Sequence, residues 1–175
     1  GAGTNGAPAN GATVDDTKVL VIDAETSGTN AFLTTNVNVE CLWVKENSKL
    51  VVNNDLFIEF NQDFVLDGEI RLIGDAQLVQ SHAGLSNVQG NGVIYRDQAA
   101  TVPSIYRYHY WSSPVTAALG NTNYSTSTVM FDGTTPTSEN SVAQAINWQD
   151  YNFTVASLNG QTTNPITIAT WWIYS

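Results

Sequence analysis

The 175-residue sequence has few basic residues, and this shortage excludes two classes of partner. Six Lys and Arg residues stand against sixteen Asp and Glu residues, so the formal net charge is −10. Nucleic-acid affinity comes largely from basic side chains that displace the counterions of the phosphate backbone. Anionic membrane surfaces attract proteins through the same side chains. The sequence therefore predicts neither nucleic acid nor a membrane surface as a partner.

Cysteine, histidine and long apolar runs are also scarce. Cys41 is the single cysteine, so an intrachain disulfide is excluded, and its apolar neighbours indicate a small buried residue. The two histidines, His82 and His109, have no Cys or His at metal-ligand spacing, so no zinc site is predicted. No segment approaches the roughly 20 apolar residues of a membrane-spanning helix, and no membrane span is predicted.

What the sequence does contain favours β-structure. Only 13% of its residues are charged, and Thr, Asn, Val, Gly and Ser are abundant. β-Branched residues prefer strands, and Asn and Gly prefer turns, whereas runs of helix-favouring Leu, Lys and Glu are missing. We expect an all-β protein of one domain, or of two small ones.

The most informative pattern is a 14-residue recurrence of apolar pairs between Leu42 and Leu78. The apolar positions are Leu42 and Val44, Leu50 and Val52, Leu56 and Ile58, Phe64 and Leu66, Ile70 and Leu72, and Leu78. Polar pairs separate them at the same spacing: Asn47–Ser48, Asn53–Asn54, Asn61–Gln62, Asp67–Gly68, Asp75–Ala76 and Ser81–His82. Two short strands and two polar corners in each period are typical of a stacked solenoid.

The predicted architecture is a short parallel β-solenoid with a 14-residue period over residues 17–98, packed against a β-sandwich. An antiparallel meander or sandwich throughout is the alternative, because 14 residues also fit a hairpin. Residues 1–16 contain mostly Gly, Ala, Asn and Thr, which predicts a flexible arm or linker. Residues 18–23 are predicted to form a first strand that is apolar on both faces and buried.

The period ends near residue 98, and residues 99–175 are predicted to form the β-sandwich region. Its predicted strands are Ile105–Trp111, Ser127–Phe131, Gln144–Trp148, Tyr151–Leu158 and Ile166–Tyr174. The last of these is apolar and uncharged, so it lacks the usual protection against edge pairing. We expect this region to be incomplete at its C-terminus, either as a fragment of a longer protein or as a subunit whose end pairs with another copy.

One segment carries a resemblance to known proteins. Residues 108–115 read Tyr-His-Tyr-Trp-Ser-Ser-Pro-Val, and they follow an Asn- and Gly-rich series of Leu-x-Val pairs. This combination, over residues 30–175, resembles large surface proteins of gliding and marine Bacteroidota that are exported by type IX secretion. The resemblance implies an extracellular or cell-surface location and implies no catalytic residue. Such proteins usually continue beyond a Trp-Ile-Tyr strand into a sorting domain, which is absent from this sequence.

No catalytic or cofactor-binding residue is predicted, and we expect a protein that is not an enzyme. Ser112 and Ser113 lie on the same strand end as His109, without the Gly-x-Ser-x-Gly elbow of a hydrolase. Carboxylates on a solenoid wall can cleave polysaccharides; the candidates are Asp55, Asp63, Asp67, Glu69 and Asp75, together with Arg71. Corner carboxylates such as Asp67 are explained by turn chemistry, so a polysaccharide-active β-helix enzyme has the least support.

Two binding hypotheses remain. Calcium is the one cofactor with candidate ligands, namely Asp15, Asp16, Asp23 and Asp55, which lie in oxygen-rich turns without an EF-hand spacing. Exposed aromatic rings stack on sugars, and the contact candidates for glycans or partner chains are Trp111, Trp171, Trp172 and Tyr174. The sequence therefore predicts a non-catalytic structural or adhesive module that contacts other domains or copies of the same surface protein. A carbohydrate-binding accessory module is the alternative.

Overall fold

The computed structural model describes residues 15–23, 30–84, 88–97, 129–133, 143–149 and 165–170. The chain divides into two compact units, Gly1–Ala99 and Ala100–Ser175. The elements with described bounds are fourteen β-strands, which confirms the all-β prediction. Those of the first unit are β1 (Asp15–Ile22), β2 (Asn30–Leu33), β3 (Val37–Val44), β4 (Lys49–Val52), β5 (Phe57–Phe60), β6 (Phe64–Leu66), β7 (Glu69–Leu72), β8 (Gln77–Gln80), β9 (Val88–Gln89) and β10 (Val93–Arg96).

The ten strands of the first unit wind into a parallel β-solenoid of about four coils. One sheet has the order β8-β5-β3-β6-β9, with β1 also paired to β3, and the other has the order β10-β7-β4-β2. The eight-residue strand β3 is long enough to pair with both β5 and β6 of the next coil. All the described pairings of this unit are parallel, so the predicted solenoid is confirmed and the antiparallel alternative is wrong for this unit.

Each coil is longer than the 14-residue period of the sequence. Asn30 pairs with Lys49 and Glu69 pairs with Val93, so residues stacked in neighbouring coils are between 19 and 24 positions apart. Successive apolar pairs of the sequence begin six or eight residues apart, so the apolar pattern repeats after two of them. The chain closes a full coil only after three strand positions. The 14-residue period thus reflects the spacing of apolar pairs, and the prediction of a 14-residue coil is wrong.

The core lies between the two sheets and is built from the inward side chains of every coil. Leu42, Ile58 and Ile70 are completely buried, and the rings of Phe60 and Phe64 lie 4.9 Å apart. Leu56, predicted as an inward residue of its strand, instead precedes β5 and is only partly buried. Alternation along β5 makes Ile58 and Phe60 its inward pair.

The six predicted polar corners all lie between strands, as expected. The Ser48 amide donates to the Lys45 carbonyl at 3.0 Å, and Asn47 between them has a φ of 61°. The corner after β4 has the same form, with Asp55 at a φ of 63°. Asn and Asp tolerate this left-handed conformation better than other residues with side chains, which explains their recurrence at the corners.

Successive coils approach each other closely at the corner between β6 and β7. The Gly68 amide donates to the Val44 carbonyl of the preceding coil at 3.1 Å, and the Gly92 amide of the following coil donates to the Leu66 carbonyl at 2.7 Å. A Cβ atom on Gly68 would lie 2.3 Å from the carbonyl oxygens of Lys45 and Ser48. Only glycine fits this corner, because main-chain atoms of the neighbouring coil occupy the space of a side chain.

The first strand differs from its prediction. β1 begins at Asp15, inside the predicted arm, and only one of its faces is turned to the core. Leu20 packs against the core, whereas Val19 and Val21 on the opposite face are 55% and 42% exposed. The prediction of a buried strand is therefore wrong, because a solenoid wall has one face inside and one outside even where both are apolar.

The described part of the second unit contains four short strands. β11 (Phe131–Asp132) and β12 (Gln144–Ala145) are antiparallel, and β13 (Asn147–Gln149) and β14 (Thr167–Ala169) are parallel. These strands lie within or beside three of the five predicted strands. The other two predicted strands, at 105–111 and 151–158, fall outside the described residues. Packing of a sandwich against the solenoid stays a prediction.

We expect the inward residues to determine the stability of the solenoid. Ile58→Ala should lower the free energy of unfolding by about 2–5 kcal/mol, because it leaves a cavity at a completely buried site. Val19→Ala, on the exposed face of β1, should change it by less than about 0.5 kcal/mol. Chemical denaturation of both variants measures the difference, and equal losses would contradict the inward assignment.

We also expect the close approach at Gly68 to limit substitution. Gly68→Ala should lower the free energy of unfolding by about 1–3 kcal/mol, because the clashing atoms are main-chain oxygens that cannot rotate away. Gly84→Ala measures a different cost, since Gly84 has a φ of +118° but no heavy atom within 4 Å of an added Cβ, so its loss reports backbone strain without a clash. Thermal or chemical melts in which Gly68→Ala is as stable as the original chain would show that this corner can open freely.

Candidate functional site

The residues predicted as binding sites are only partly described by the structure. Trp111, Trp171, Trp172 and Tyr174 lie outside the described residues. The calcium candidates Asp15 and Asp16 belong to the main chain of β1, but their side chains are not described. Glycan contacts at the four aromatic positions and calcium binding at Asp15 and Asp16 therefore stay predictions.

The two remaining calcium candidates are engaged separately. The Asp23 carboxylate pairs with Lys45 Nζ at 2.6 Å, and the Asp55 carboxylate accepts a hydrogen bond from Asn54 Nδ2 at 2.7 Å. Across the described residues, no group of three or more His, Cys, Asp or Glu side chains is arranged to hold a metal ion. The structure thus does not bring Asp23 and Asp55 into a common site.

A polar strip runs along the corner that follows β1, β3 and β6. Asp23, Lys45 and Asp67 each follow directly after residues that are paired in register, so acid, base and acid stack on one another in successive coils. Trp43 lies beside this strip on the outer face of β3, where its Nε1 donates to Asp67 Oδ2 at 3.2 Å. Lys45 Nζ lies 5.3 Å from the centroid of the Trp43 ring, a cation–π distance.

An open cleft of about 390 Å³ adjoins the polar strip. Its lining includes corner residues of three successive coils: Asn47 and Ser48, Asp67 and Gly68, and Asn91 and Gly92. The stacked first residues of β2, β4, β7 and β10, which are Asn30, Lys49, Glu69 and Val93, complete the lining. The cleft therefore follows the stacking direction, and most of its lining residues are polar.

Two of the charged groups that line the cleft, Lys49 and Glu69, pair with each other. Lys49 Nζ and Glu69 Oε1 are 2.5 Å apart, and their side chains are partly exposed. Asp67 accepts the indole hydrogen bond of Trp43 through one oxygen, which leaves its other oxygen as a further acceptor. Amides, a hydroxyl and carboxylates thus line the cleft, and these are the groups that exchange hydrogen bonds with uncharged polar ligands.

Two of the residues proposed for polysaccharide cleavage, Glu69 and Arg71, have structural partners. Both lie on the outer face of β7, and Arg71 forms a two-pronged ion pair with Asp97, with Nη2–Oδ1 at 2.9 Å and Nε–Oδ2 at 3.3 Å. The side chains of this pair are only 3% and 9% exposed. Burial raises the pKa of the Asp97 carboxyl, against the opposing effect of its hydrogen bonds to Arg71 and of the nearby positive charges.

Two neighbours complete this buried cluster. Burial raises the pKa of the Tyr95 hydroxyl, and the charge of Glu69 raises it further. The Arg96 guanidinium donates to the Ala76 carbonyl, which lies at the corner after β7 in the preceding coil. Because the charges of Arg71 and Arg96 are directed to groups of the solenoid itself, this cluster serves the stacking of coils rather than an exposed reaction centre.

The sequence analysis did not identify Trp43 as an outward residue that contacts the next coil, although the alternation of β3 indicated it. Leu42 and Val44 belong to the apolar pairs of the repeat, and both are completely buried. A residue between two inward neighbours of a strand must point outward. Trp43 is accordingly 39% exposed. The cleft itself could not be predicted, because its walls come from residues 17 to 63 positions apart whose proximity depends on the true coil length.

Comparison with known proteins adds no family assignment. No protein-family model, no curated protein and no solved structure matches the chain. In the parts of the chain with described structure, no helix is both long and apolar enough to cross a membrane.

We expect the buried Arg71–Asp97 pair to contribute far more to stability than the exposed pair between Lys45 and Asp23. Asp97→Ala should lower the free energy of unfolding by about 3–5 kcal/mol, because it leaves the Arg71 charge buried without this carboxylate. Asp23→Ala should lower it by at most about 1 kcal/mol, because water screens an exposed pair. Denaturant melts at neutral pH compare the two variants. Similar losses would show that water reaches the Arg71 guanidinium.

Proposed function

We propose that the chain is a non-catalytic structural or adhesive module of an exported bacterial surface protein. The observation that carries the proposal is the use of its polar side chains: those in the described coils bind mainly to the neighbouring coil. Asn38 Nδ2 donates to Glu59 at 3.2 Å, and the Asp75 amide donates to the Asn54 side chain at 2.9 Å. A protein built in this way supplies a rigid, extended surface.

The proposed surface location has independent but indirect support. The Tyr-x-Tyr-Trp-Ser-Ser-Pro-Val segment at 108–115 resembles exported Bacteroidota proteins, and a type IX secretion route is part of this proposal. The net charge of −10 fits a protein that works away from nucleic acid. Other domains or further copies of the same surface protein are the proposed partners.

Carbohydrate binding is a second candidate function, and one observation favours it. Trp43 is an exposed aromatic residue held by a hydrogen bond to a wall residue of a polar cleft. Catalysis of polysaccharide cleavage has less support, because Glu69 and Arg71 are occupied by ion pairs with Lys49 and Asp97.

A bead assay tests the proposed adhesive function. Beads coated with the chain should stay attached under flow to surfaces carrying polysaccharides or bacterial cells. Beads coated with Gly68→Val, in which the larger side chain should prevent close stacking of the coils, should detach. Equal attachment of both kinds of bead, or no attachment of either, would argue against an adhesive role of the folded solenoid.

A reducing-end assay on neutral and uronate-rich polysaccharides tests the non-catalytic part of the proposal. We expect no turnover above buffer at high protein concentration. Turnover that Asp67→Asn abolishes would overturn the proposal and favour the enzyme alternative. The same substitution keeps an oxygen in place for the Trp43 indole hydrogen bond, so it removes the carboxylate with little effect on the surrounding geometry.

A further inference from the structure

We infer that Asn91 is a modification site, at which the side-chain amide converts spontaneously to aspartate and isoaspartate when the coil that contains β9 and β10 opens. Asn91 precedes Gly92 and is exposed at the corner between these strands, on the lining of the cleft. This chemistry is independent of any adhesive role of the solenoid. It makes the corner an irreversible record of how often neighbouring coils separate.

The reaction needs only the chain and water. The main-chain nitrogen of Gly92 loses its proton and bonds to Cγ of Asn91, and the side-chain nitrogen leaves as ammonia. Water then opens the resulting succinimide ring at either carbonyl. Opening at the former side-chain carbonyl gives aspartate, and opening at the main-chain carbonyl gives isoaspartate. Glycine favours the ring closure, because it has no Cβ atom to crowd the attacking nitrogen.

Stacking of the coils withholds this nitrogen from reaction. The Gly92 amide donates a hydrogen bond of 2.7 Å to the Leu66 carbonyl of the preceding coil. An amide that donates a hydrogen bond gives up its proton less readily, because the bond stabilises its neutral form. The succinimide nitrogen carries no hydrogen, so this bond must break before the ring closes, and the Leu66 carbonyl then loses this donor. Ring closure therefore requires that the coil first move away.

The corner has no room for the longer main chain of isoaspartate. A Cβ atom on Gly90 would clash with the Leu66 carbonyl, and one on Gly92 would clash with the Gly68 carbonyl. Both flanks of Asn91 thus lie directly against the preceding coil. Isoaspartate carries the main chain through the former side chain and adds one atom between the two flanking glycines. The pairing of β10 with β7 then cannot keep its register.

Both products also add a negative charge at this corner. Each residue of β9 and β10 pairs with the residue 24 positions earlier, which places Asn91 beside Asp67 of the preceding coil. A carboxylate at position 91 therefore stacks on the Asp67 carboxylate, in a chain whose net charge is already −10. Like charges in this position repel each other, so conversion favours further opening of the coil.

Peptide mapping by mass spectrometry tests the control of the reaction by stacking. At neutral pH and one temperature, Asn91 should convert at least tenfold more slowly in the folded chain than in the chain unfolded in urea, because only the open fraction reacts. A peptide of residues 88–96, incubated with and without urea, corrects for any effect of urea on the chemistry itself.

Ile94→Ala and Val93→Ala are a matched pair of variants. Ile94 packs against the core, so its truncation should loosen β10 and raise the rate at Asn91 at least threefold in the folded chain. Val93 is 46% exposed, so its truncation should leave the rate within twofold of the original. Peptides with the same substitutions correct for local sequence effects. If Ile94→Ala does not fold, Ile94→Val takes its place.

The isoaspartate form tests the consequence for the coil. Once separated from the unmodified chain, it should exchange the amide hydrogens of residues 93–96 at least tenfold faster. Any one of four results would overturn the inference: no conversion at Asn91 in urea, equal rates in the folded and unfolded chain, no rise in rate when Ile94 is truncated, or unchanged hydrogen exchange in the isoaspartate form.

Discussion

The structure depends on the fit of each coil against the main chain of the next. At the corner between β6 and β7, the Gly68 amide donates to a carbonyl of the preceding coil, and the Gly92 amide of the following coil donates to the Leu66 carbonyl. No side chain fits at Gly68 between the coils. Inward Leu, Ile, Val and Phe residues supply the burial that drives folding, but apolar contacts alone tolerate sliding. The corner hydrogen bonds fix the register, and with it the positions of all outward side chains.

Because the register is fixed, outward residues at equivalent positions of successive coils stack in columns. Asp23, Lys45 and Asp67 alternate in charge along one corner, and Lys49 lies against Glu69 beside it. An acidic chain would otherwise repel itself in such a compact stack. The basic residues described in the coils are placed largely where they offset this repulsion. The same scarcity of bases that excludes nucleic acid therefore leaves few positive charges for a ligand.

The sequence predicted the corners and most of the strands and inward residues of the coils, because alternation and turn chemistry are local properties. Leu56 was wrongly taken as inward, since Ile58 and Phe60 are the inward pair of β5. It did not predict the coil length, because the 14-residue period spans only two strands. In the structure, Asn30 pairs with Lys49 and Glu69 pairs with Val93, so one coil spans three strand positions. Exposure of Val19 was missed because an apolar sequence does not say which wall of a fold it occupies. Trp43 could have been assigned outward from its neighbours. The cleft could not be predicted, because the residues that line it come together only through the register between coils.

The length of the coil also decides what kind of surface the solenoid offers. With 19 to 24 residues in each coil, the corners of three coils place Asn47, Asp67 and Asn91 in one line. A 14-residue coil would have stacked Asn47 on Asn61 and Asp75 instead. The polar cleft is thus a consequence of three strand positions in each coil. Because the cleft spans three coils that are joined by main-chain hydrogen bonds, the positions of its lining residues are fixed by the scaffold itself.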